Sequence, residues 1–382
     1  MIRMVKRLVL MLALLWVCIP VPAQGRKASP KGLPMSVAHR GCWLRENSGE
    51  YYIPENCPAG VAMAARYGYP AVECDVKYTK DSVMVIMHDG TINRTMRNAA
   101  DYSKIQEPVR VSETTFAELR EKYVLESSDP ALRTPIPTLE EHLLACKEHG
   151  IIPMLHSAVV ESYSLAQQIL GDRWIAFDAD QAAVEQARKV SDCLILLDPG
   201  KDSAEGTVVR LKGIGGWCGM STMKYNMLDA SYIRTVREAG FEVQASIFPA
   251  PHEQRAVHDG VSIQLSDFWW FQTPGRKPAW KRREKVNLSA GASHSLQLES
   301  PAEFAALTLR LTFSGTLEVT LTDWRATKTG WQKVPVTYTL HRDTPGEEVI
   351  GLRLYKSAPE IKITAAEGPV AVNVKTTGYR IF

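Results

Sequence analysis

The sequence predicts an α/β barrel followed by a small antiparallel β domain, on three observations. Short β-branched apolar runs alternate with helical segments from about residue 35 to 273. A segment rich in proline, lysine and arginine follows at 274–285, and beyond it the helical periodicity disappears. The chain has 382 residues, of which 45% are hydrophobic and 23% charged, enough for one barrel of about 250 residues and an accessory domain.

The strand candidates of the barrel are apolar runs separated by helix signals. They lie at 35–39, 71–76, 151–156, 174–178, 193–197, 216–221, 242–247 and 261–265. Between them, Pro58 begins a helix that stops at Gly68, and Thr138 and Glu141 form a capping box. Eight strands alternating with helices are typical of a TIM-type (β/α)8 barrel.

The segments after the linker, among them 307–313 and 316–322, alternate apolar and polar residues between Gly, Pro and Asp turns, which predicts a C-terminal antiparallel β-sandwich. The predicted organisation is a signal peptide at 1–23, the barrel at 34–273, a linker at 274–285 and the sandwich at 286–382. Trp324 and Trp331 could form a sugar-binding platform on the sandwich, with packing against a neighbouring domain as the alternative.

The N-terminus has the pattern of a secretory signal peptide. Arg3, Lys6 and Arg7 precede the apolar run 8–19, which ends in small residues at 21–23. The run is short for a membrane span, and no later segment approaches the roughly 18 apolar residues of one. We expect export to the periplasm or the extracellular space, with no transmembrane segment after cleavage; an uncleaved anchor is the alternative.

Charge and cysteine content restrict the partners. The formal charge is +3, and removal of the three basic residues of the signal peptide, which has no acid, leaves +3 − 3 = 0. Such a chain gives no electrostatic reason to expect a nucleic-acid partner. The six cysteines beyond residue 23 match no zinc pattern, and a Cys42–Cys57 bridge is one option for an exported protein.

One strand unit lacks its helix. Only Lys80-Asp81-Ser82 separates the run 72–79 from the run 83–89, which predicts an antiparallel hairpin. With a two-residue loop the paired positions sum to 163 or 161, so His88 lies opposite Asp75 or Glu73. Because Glu73 and Asp75 share one strand face, two carboxylates and an imidazole are expected to converge.

Polar residues follow the early strands at the end where barrels carry their active sites. Adjacent carboxylates such as Glu73 and Asp75 favour a divalent cation such as magnesium or calcium. His39 and His88 can exchange protons near neutral pH, and the planar guanidinium of Arg40 can donate paired hydrogen bonds to a phosphate. This set suits attack on a phosphodiester.

The chain resembles the glycerophosphodiester phosphodiesterase family, part of the phosphatidylinositol-phospholipase-C-like barrel superfamily, over about residues 36–273. The motifs that carry the resemblance are His39-Arg40-Gly41, Pro54-Glu55-Asn56, Glu73-Cys74-Asp75-Val76, Thr79-Lys80-Asp81, His88-Asp89, Arg94-Thr95 and Pro137-Thr138-Leu139. The resemblance implies that His39 and His88 are the acid/base pair. It also implies that Arg40 and Asn56 bind phosphate, and that Glu73 and Asp75 hold the metal.

The third strand departs from the family pattern, an apolar run that ends in Glu-x-Lys. This sequence has His156 and Ala158 at those two positions. An imidazole can replace the third carboxylate ligand, but it removes one negative charge and favours manganese or zinc over calcium. The predicted metal ligands are therefore Glu73, Asp75 and His156, with manganese or zinc as alternatives to magnesium or calcium.

The leading hypothesis is an exported, metal-dependent enzyme that hydrolyses small glycerophosphodiesters to sn-glycerol 3-phosphate and an alcohol, as the resemblance implies. One alternative is the same barrel with a changed substrate or lyase-type chemistry, either phospholipase D-like or acting on glycan-linked phosphodiesters. Another is a catalytically silent protein that contacts a glycan or lipid through its C-terminal domain.

Cleavage of the signal peptide is directly testable. The small residues at 21–23 resemble a signal-peptidase cleavage site, so the mature chain is predicted to begin near Gln24. Mass spectrometry of the exported protein should find that N-terminus, and exported protein that retains Met1 would contradict the prediction.

Overall fold

A computed structural model of the chain describes residues 35–46, 48–222, 229–246, 259–267, 278–298, 304–327, 330–355 and 360–380. The predicted signal peptide lies outside these residues. For Trp324 and Trp331 the structure describes the backbone but not the side chains, so the predicted sugar-binding platform lies outside the described part of the structure.

The N-terminal part of the described chain is a parallel barrel with helices outside it. Its strands are β1 (Met35–Ala38), β2 (Leu44–Arg45), β3 (Tyr51–Ile53), β4 (Ala71–Tyr78), β5 (Met84–Ile86), β6 (Met96–Asn98), β7 (Tyr123–Leu125), β8 (Ile152–His156), β9 (Ile175–Asp178), β10 (Leu194–Leu197), β11 (Cys218–Thr222), β12 (Glu242–Ser246) and β13 (Ile263–Ser266). Its helices are α1 (Pro58–Arg66), α2 (Phe116–Lys122), α3 (Leu139–His149), α4 (Val160–Leu170), α5 (Gln181–Val190), α6 (Ala204–Ile214) and α7 (Ala230–Glu238).

Eight of these strands close into a ring. Hydrogen-bonded neighbours run in the order β1, β13, β12, β11, β10, β9, β8, β4, and β4 pairs again with β1. Every pairing in the ring is parallel. The predicted TIM-type barrel is therefore confirmed.

Side chains along the barrel strands point alternately into the ring and towards the surrounding helices, so they form two separate buried clusters. Val37, Met154, Phe177 and Leu196 belong to one buried apolar cluster inside the ring. Their strand neighbours, such as Leu155, belong to the cluster between the strands and the helices. Polar side chains near the carboxyl ends of the strands therefore lie above a packed floor.

The hairpin after β4 differs in register from both predicted alternatives. Val76 pairs with Ile86 and Tyr78 with Met84, so paired positions sum to 162. Thr79 closes the loop: its N–H donates to the Val83 carbonyl, and its Oγ1 accepts from the Val83 N–H. Ser82 takes a left-handed conformation at φ 63°, which gives a three-residue loop instead of the expected two. His88 consequently follows the strand and has no partner position opposite it.

The C-terminal part is antiparallel, as predicted. Its strands are β14 (Trp280–Leu288), β15 (Ser293–Ser295), β16 (Phe304–Thr327), β17 (Gly330–Tyr355), β18 (Ile361–Ala365) and β19 (Val370–Arg380). They form one hydrogen-bonded sheet in the order β14, β19, β16, β18, β15, with β17 paired to β16, and are not divided between two sheets.

Two features of this sheet differ from the sequence prediction. The register with β17 shifts between Phe313 and Gly315, where residues 343–345 of β17 lie opposite the single residue Ser314, and β16 continues through a segment expected to be a turn between two strands. Strand β14 overlaps the predicted linker at 274–285. Its basic residues pair with β19, while Trp280 and Val286 pack against the buried cluster of the sheet.

All six described cysteines are buried, and Cys42 and Cys57 are not joined to each other by a disulfide. The Cys42–Cys57 bridge left open by the sequence is therefore not formed. Cys57 instead donates a hydrogen bond from Sγ to the carbonyl of Pro54 at 3.1 Å, at the N-terminus of α1. These thiols serve as packing groups.

His142 predicts how acid affects the stability of the barrel. Its side chain is 1% exposed on α3, and neither ring nitrogen has a hydrogen-bond partner among the described residues. Burial lowers its pKa to about 4 from the usual 6.5. Because the unfolded chain binds this proton more tightly, stability is complete above pH 6.5 and is lost as the pH falls towards 4, by about 2 kcal/mol at pH 5.

Replacement of His142 tests this. The His142→Leu variant should not lose this contribution of about 2 kcal/mol to its free energy of unfolding when the pH is lowered to 5. Urea titration at pH 7 and pH 5 measures the free energy of unfolding of wild type and variant. His149→Gln changes an exposed histidine on the same helix and is the control. An equal loss between the two pH values in wild type and His142→Leu would contradict the prediction.

Candidate active site

The candidate site lies where β1, β4 and β8 end. Asp75 pairs with His156 in the parallel register of β4 and β8. Glu73 is two residues before Asp75 and therefore projects to the same side. Arg40, two residues beyond β1, donates its backbone N–H to Glu73 Oε2 at 2.9 Å. The structure thus brings these four predicted residues together.

Glu73, Asp75 and His156 form a compact set of metal-ligand atoms. One ligand atom from each lies within 4.8 Å of the others. His156 Nδ1 is 3.2 Å from Asp75 Oδ1 and 3.9 Å from Glu73 Oε1. A cation bound to oxygen or nitrogen ligands at about 2.0–2.6 Å fits such spacing. The imidazole stacks on Phe177 with ring centroids 4.6 Å apart, which fixes its plane.

The two carboxylates ionise unequally. Burial and the charge of Asp75 raise the pKa of Glu73, against the opposing charges of His39, His156 and Arg40. Burial also acts to raise the pKa of Asp75, but the hydrogen bond from His156 and the charge of Arg40 lower it further, so its net shift is downward. The raised pKa of Glu73 indicates that the neighbouring cations compensate the pair incompletely, and a divalent cation would add the missing positive charge.

Two residues beside the carboxylates have left-handed backbones. Arg40 has φ 55° and Asn56 has φ 53°, both unusual for residues other than glycine. The Asn56 N–H donates to the Arg40 carbonyl at 2.9 Å, and Asn56 Nδ2 donates to Asp75 Oδ2 at 3.0 Å. Such strain is held by surrounding contacts and clusters at functional sites.

Glu55 holds the cations of the site, a role that the sequence analysis did not assign. It is 3% exposed and accepts from Arg40 Nη1 at 3.2 Å, from both Nη atoms of Arg94 at 2.7 and 2.9 Å, and from the Tyr51 hydroxyl at 2.5 Å. Burial alone would raise its pKa, but Arg40 and Arg94 hold that pKa well below its usual value. Its place in the Pro-Glu-Asn motif was the available signal.

Each predicted catalytic histidine is paired with an aspartate. His39 Nδ1 lies 2.9 Å from Asp267 Oδ1, and His88 Nδ1 lies 2.6 Å from Asp89 Oδ1. Asp267 also accepts from Trp43 Nε1 at 3.2 Å. Sequence reasoning missed Asp267, because its contact with His39 depends on the placement of β13 beside β1; its position just after a predicted barrel strand was the available signal.

The environment of His39 favours its charged form. Burial and the neighbouring Arg40 lower the pKa of His39, but the charge and hydrogen bond of Asp267, together with Glu73, raise it more. His88 is close enough to Asp75 for its charge to lower the pKa of that carboxyl. Two proton-exchanging groups therefore flank the carboxylate pair.

Ala158 is exposed beyond β8, where a lysine was expected from the family pattern. Asp178, at the end of β9, acts on His156: its charge is one of the causes that raise the pKa of that imidazole, although burial lowers it. His156 thus faces three carboxylates.

The comparisons with known proteins converge on one family. The model of the glycerophosphoryl diester phosphodiesterase family matches residues 39–156, from the first predicted catalytic histidine to the third predicted metal ligand. Residues 39–156 belong to this family. No helix among the described residues is long and apolar enough to cross a membrane.

Proteins with sequences similar to this chain are named as glycerophosphodiester or glycerophosphocholine phosphodiesterases. Glycerophosphodiester phosphodiesterase 1 of Mus musculus is 31% identical over 139 residues, 35% of this chain and 37% of that protein. A glycerophosphocholine phosphodiesterase of Homo sapiens is 33% identical over 90 residues, 23% of this chain and 13% of that protein. The alignment thus spans little more than a third of the length of the mouse relative.

Among solved structures, an Oleispira antarctica phosphodiesterase in complex with the product sn-glycerol-3-phosphate covers 63% of this chain and 95% of its own. Its TM-score to this chain is 0.49, at 19% identity.

Proposed function

We propose that this chain is an exported, metal-dependent phosphodiesterase that hydrolyses glycerophosphodiesters to sn-glycerol 3-phosphate and an alcohol. The observation that carries the proposal is the placement of His39 and His88, each paired with an aspartate, beside Glu73, Asp75 and His156; of these residues all except Asp267 lie within the family segment. The names of the relatives support the substrate class.

The two histidines supply the proton transfers. With Nδ1 held by Asp267, His39 presents the tautomer whose Nε2 takes up a proton; Asp89 does the same for His88. One imidazole removes a proton from the nucleophile as the new oxygen–phosphorus bond forms. The nucleophile is either water or the neighbouring glycerol hydroxyl; in the second case water then opens the cyclic phosphate to give sn-glycerol 3-phosphate. The other imidazole donates a proton to the alkoxide as the old bond breaks, so the exchange of protons balances.

The phosphate is held by charge. Glu73, Asp75 and His156 would bind a divalent cation, which would neutralise phosphate oxygens when present. Arg40, fixed by Glu55, adds a guanidinium beside the same carboxylates, with Nε 3.8 Å from Asp75 Oδ2. Glycan or lipid contact through the C-terminal sheet is a further proposal that rests on the sequence alone.

A second candidate is the same barrel with a changed substrate or lyase-type chemistry. Ala158 favours it, because the position that faces substrate in the family pattern carries no cation here.

The proposal that the protein is exported rests on the pattern of residues 1–23.

A panel assay tests the proposed function. Chelated protein, re-supplied with magnesium, calcium, manganese or zinc, is incubated with a series of glycerophosphodiesters. Cation-dependent release of glycerol phosphate supports the proposal. Release of free alcohol with a cyclic phosphate as the end product would favour the lyase, and unchanged diesters would overturn both.

Asp267 should act through His39. In Asp267→Asn the amide no longer stabilises the imidazolium, so kcat should fall by about 10²- to 10⁴-fold while metal affinity stays unchanged. Asp172→Asn is the control, because Asp172 is an exposed aspartate that accepts hydrogen bonds from Ser191 and the Asp192 backbone and contacts none of the predicted site residues in the described structure. A variant with the wild-type kcat and pH profile would contradict the role.

His156 should set the choice of metal. Calorimetry should show that His156→Ala weakens binding by about tenfold, and that His156→Glu raises affinity for calcium and magnesium relative to manganese and zinc. Because an imidazole must lose its proton to bind metal, wild-type affinity should rise with pH through the raised pKa of His156. His156→Glu should lose that dependence, whereas His149→Ala should behave as wild type.

A further inference from the structure

Asn56 carries a buried amide that is only half satisfied. The residue is 3% exposed, and its Nδ2 donates to Asp75 Oδ2 at 3.0 Å. Its Oδ1 has no hydrogen-bond partner among the described residues. The orientation of the amide is determined, since turning it over would set its oxygen against the carboxylate. The orphaned atom is therefore an acceptor.

An orphaned acceptor is unsuited to an ionised phosphodiester. Phosphate oxygens only accept hydrogen bonds, so they leave Asn56 Oδ1 unsatisfied, at a cost of about 1–3 kcal/mol for a buried polar atom. A cation satisfies it, because amide carbonyl oxygens are ordinary ligands of hard divalent ions.

The position of Asn56 agrees with such a role. Asp75, which the amide contacts, is a member of the Glu73, Asp75 and His156 cluster. The left-handed backbone of Asn56, at φ 53°, is anchored by its N–H to the Arg40 carbonyl. An anchored residue that keeps a buried, unsatisfied oxygen next to a member of the cation cluster has the character of a preorganised ligand.

We propose that Asn56 Oδ1 is a fourth protein ligand of the divalent cation, so that Asn56 binds metal and not phosphate. The inference rests on the metal dependence included in the proposed function. It replaces the phosphate-binding role that the family resemblance implies for this residue.

Terbium luminescence measures the coordination directly. Lifetimes of Tb³⁺ bound to the full chain, compared in H₂O and D₂O, count the water molecules on the ion. Asn56→Gly, which suits the left-handed backbone, should add one coordinated water and weaken Tb³⁺ binding about tenfold. Ser82→Gly is the matched control, because Ser82 has the same backbone conformation, φ 63°, in the hairpin loop.

A second variant separates ligation from support of Asp75. Asn56→Asp loses the donor to Asp75, as Asn56→Gly does, but keeps an oxygen at the ligand position. It should restore the wild-type water count. Equal water counts in wild type and Asn56→Gly, or an Asn56→Asp variant that behaves like Asn56→Gly, would overturn this inference alone. A wild-type chain that binds no Tb³⁺ and no divalent cation would overturn it together with the metal dependence.

Discussion

The buried pair of carboxylates on β4 is the constraint around which the site is organised. Glu73 and Asp75 are 2% and 5% exposed, and two such groups this close are costly unless positive charge surrounds them. Each of the surrounding groups offsets part of this cost. Arg40 gives a backbone N–H to Glu73, Asn56 gives an amide to Asp75, and His156 lies against both. A site that stays short of charge in this way is suited to hold a cation.

The compensating groups need support of their own. Arg40 and Asn56 adopt backbones that few side chains tolerate, and a hydrogen bond between them fixes both. Glu55 then holds Arg40 and Arg94, and Arg94 in turn donates to Asp89, the partner of His88. A continuous network thus links the buried carboxylates to one of the proton-exchanging groups. Because a half-satisfied network of this kind is unfavourable, its members are fixed together.

The sequence predicts the parts of this architecture that depend on local periodicity. The eight barrel strands and the shared face of Glu73 and Asp75 follow from alternation alone. The register of the hairpin does not, because it depends on the backbone conformation that Ser82 adopts in the loop. Asp267 was missed for a different reason: it reaches His39 only because β13 lies beside β1, a contact across 228 positions that no local pattern contains. The continuous strand β16 was predicted as two strands because Ser314-Gly315, where its pairing with β17 is irregular, has the composition of a turn.

The two departures from the family pattern at the end of β8 are linked by charge. His156 in place of glutamate removes one negative charge next to the cation position, and Ala158 in place of lysine removes one positive charge from the same mouth. The formal charge that a phosphodiester meets is therefore conserved when both changes occur, although either alone would alter it. What changes is the chemistry of the ligand and the space beside it. An imidazole stacked on Phe177 is more selective among cations than a carboxylate, and an alanine leaves room where a lysine would reach the substrate. Metal preference and the fit of the alcohol are thus the properties in which this barrel should differ from relatives that keep both residues, while attraction of the phosphate is preserved.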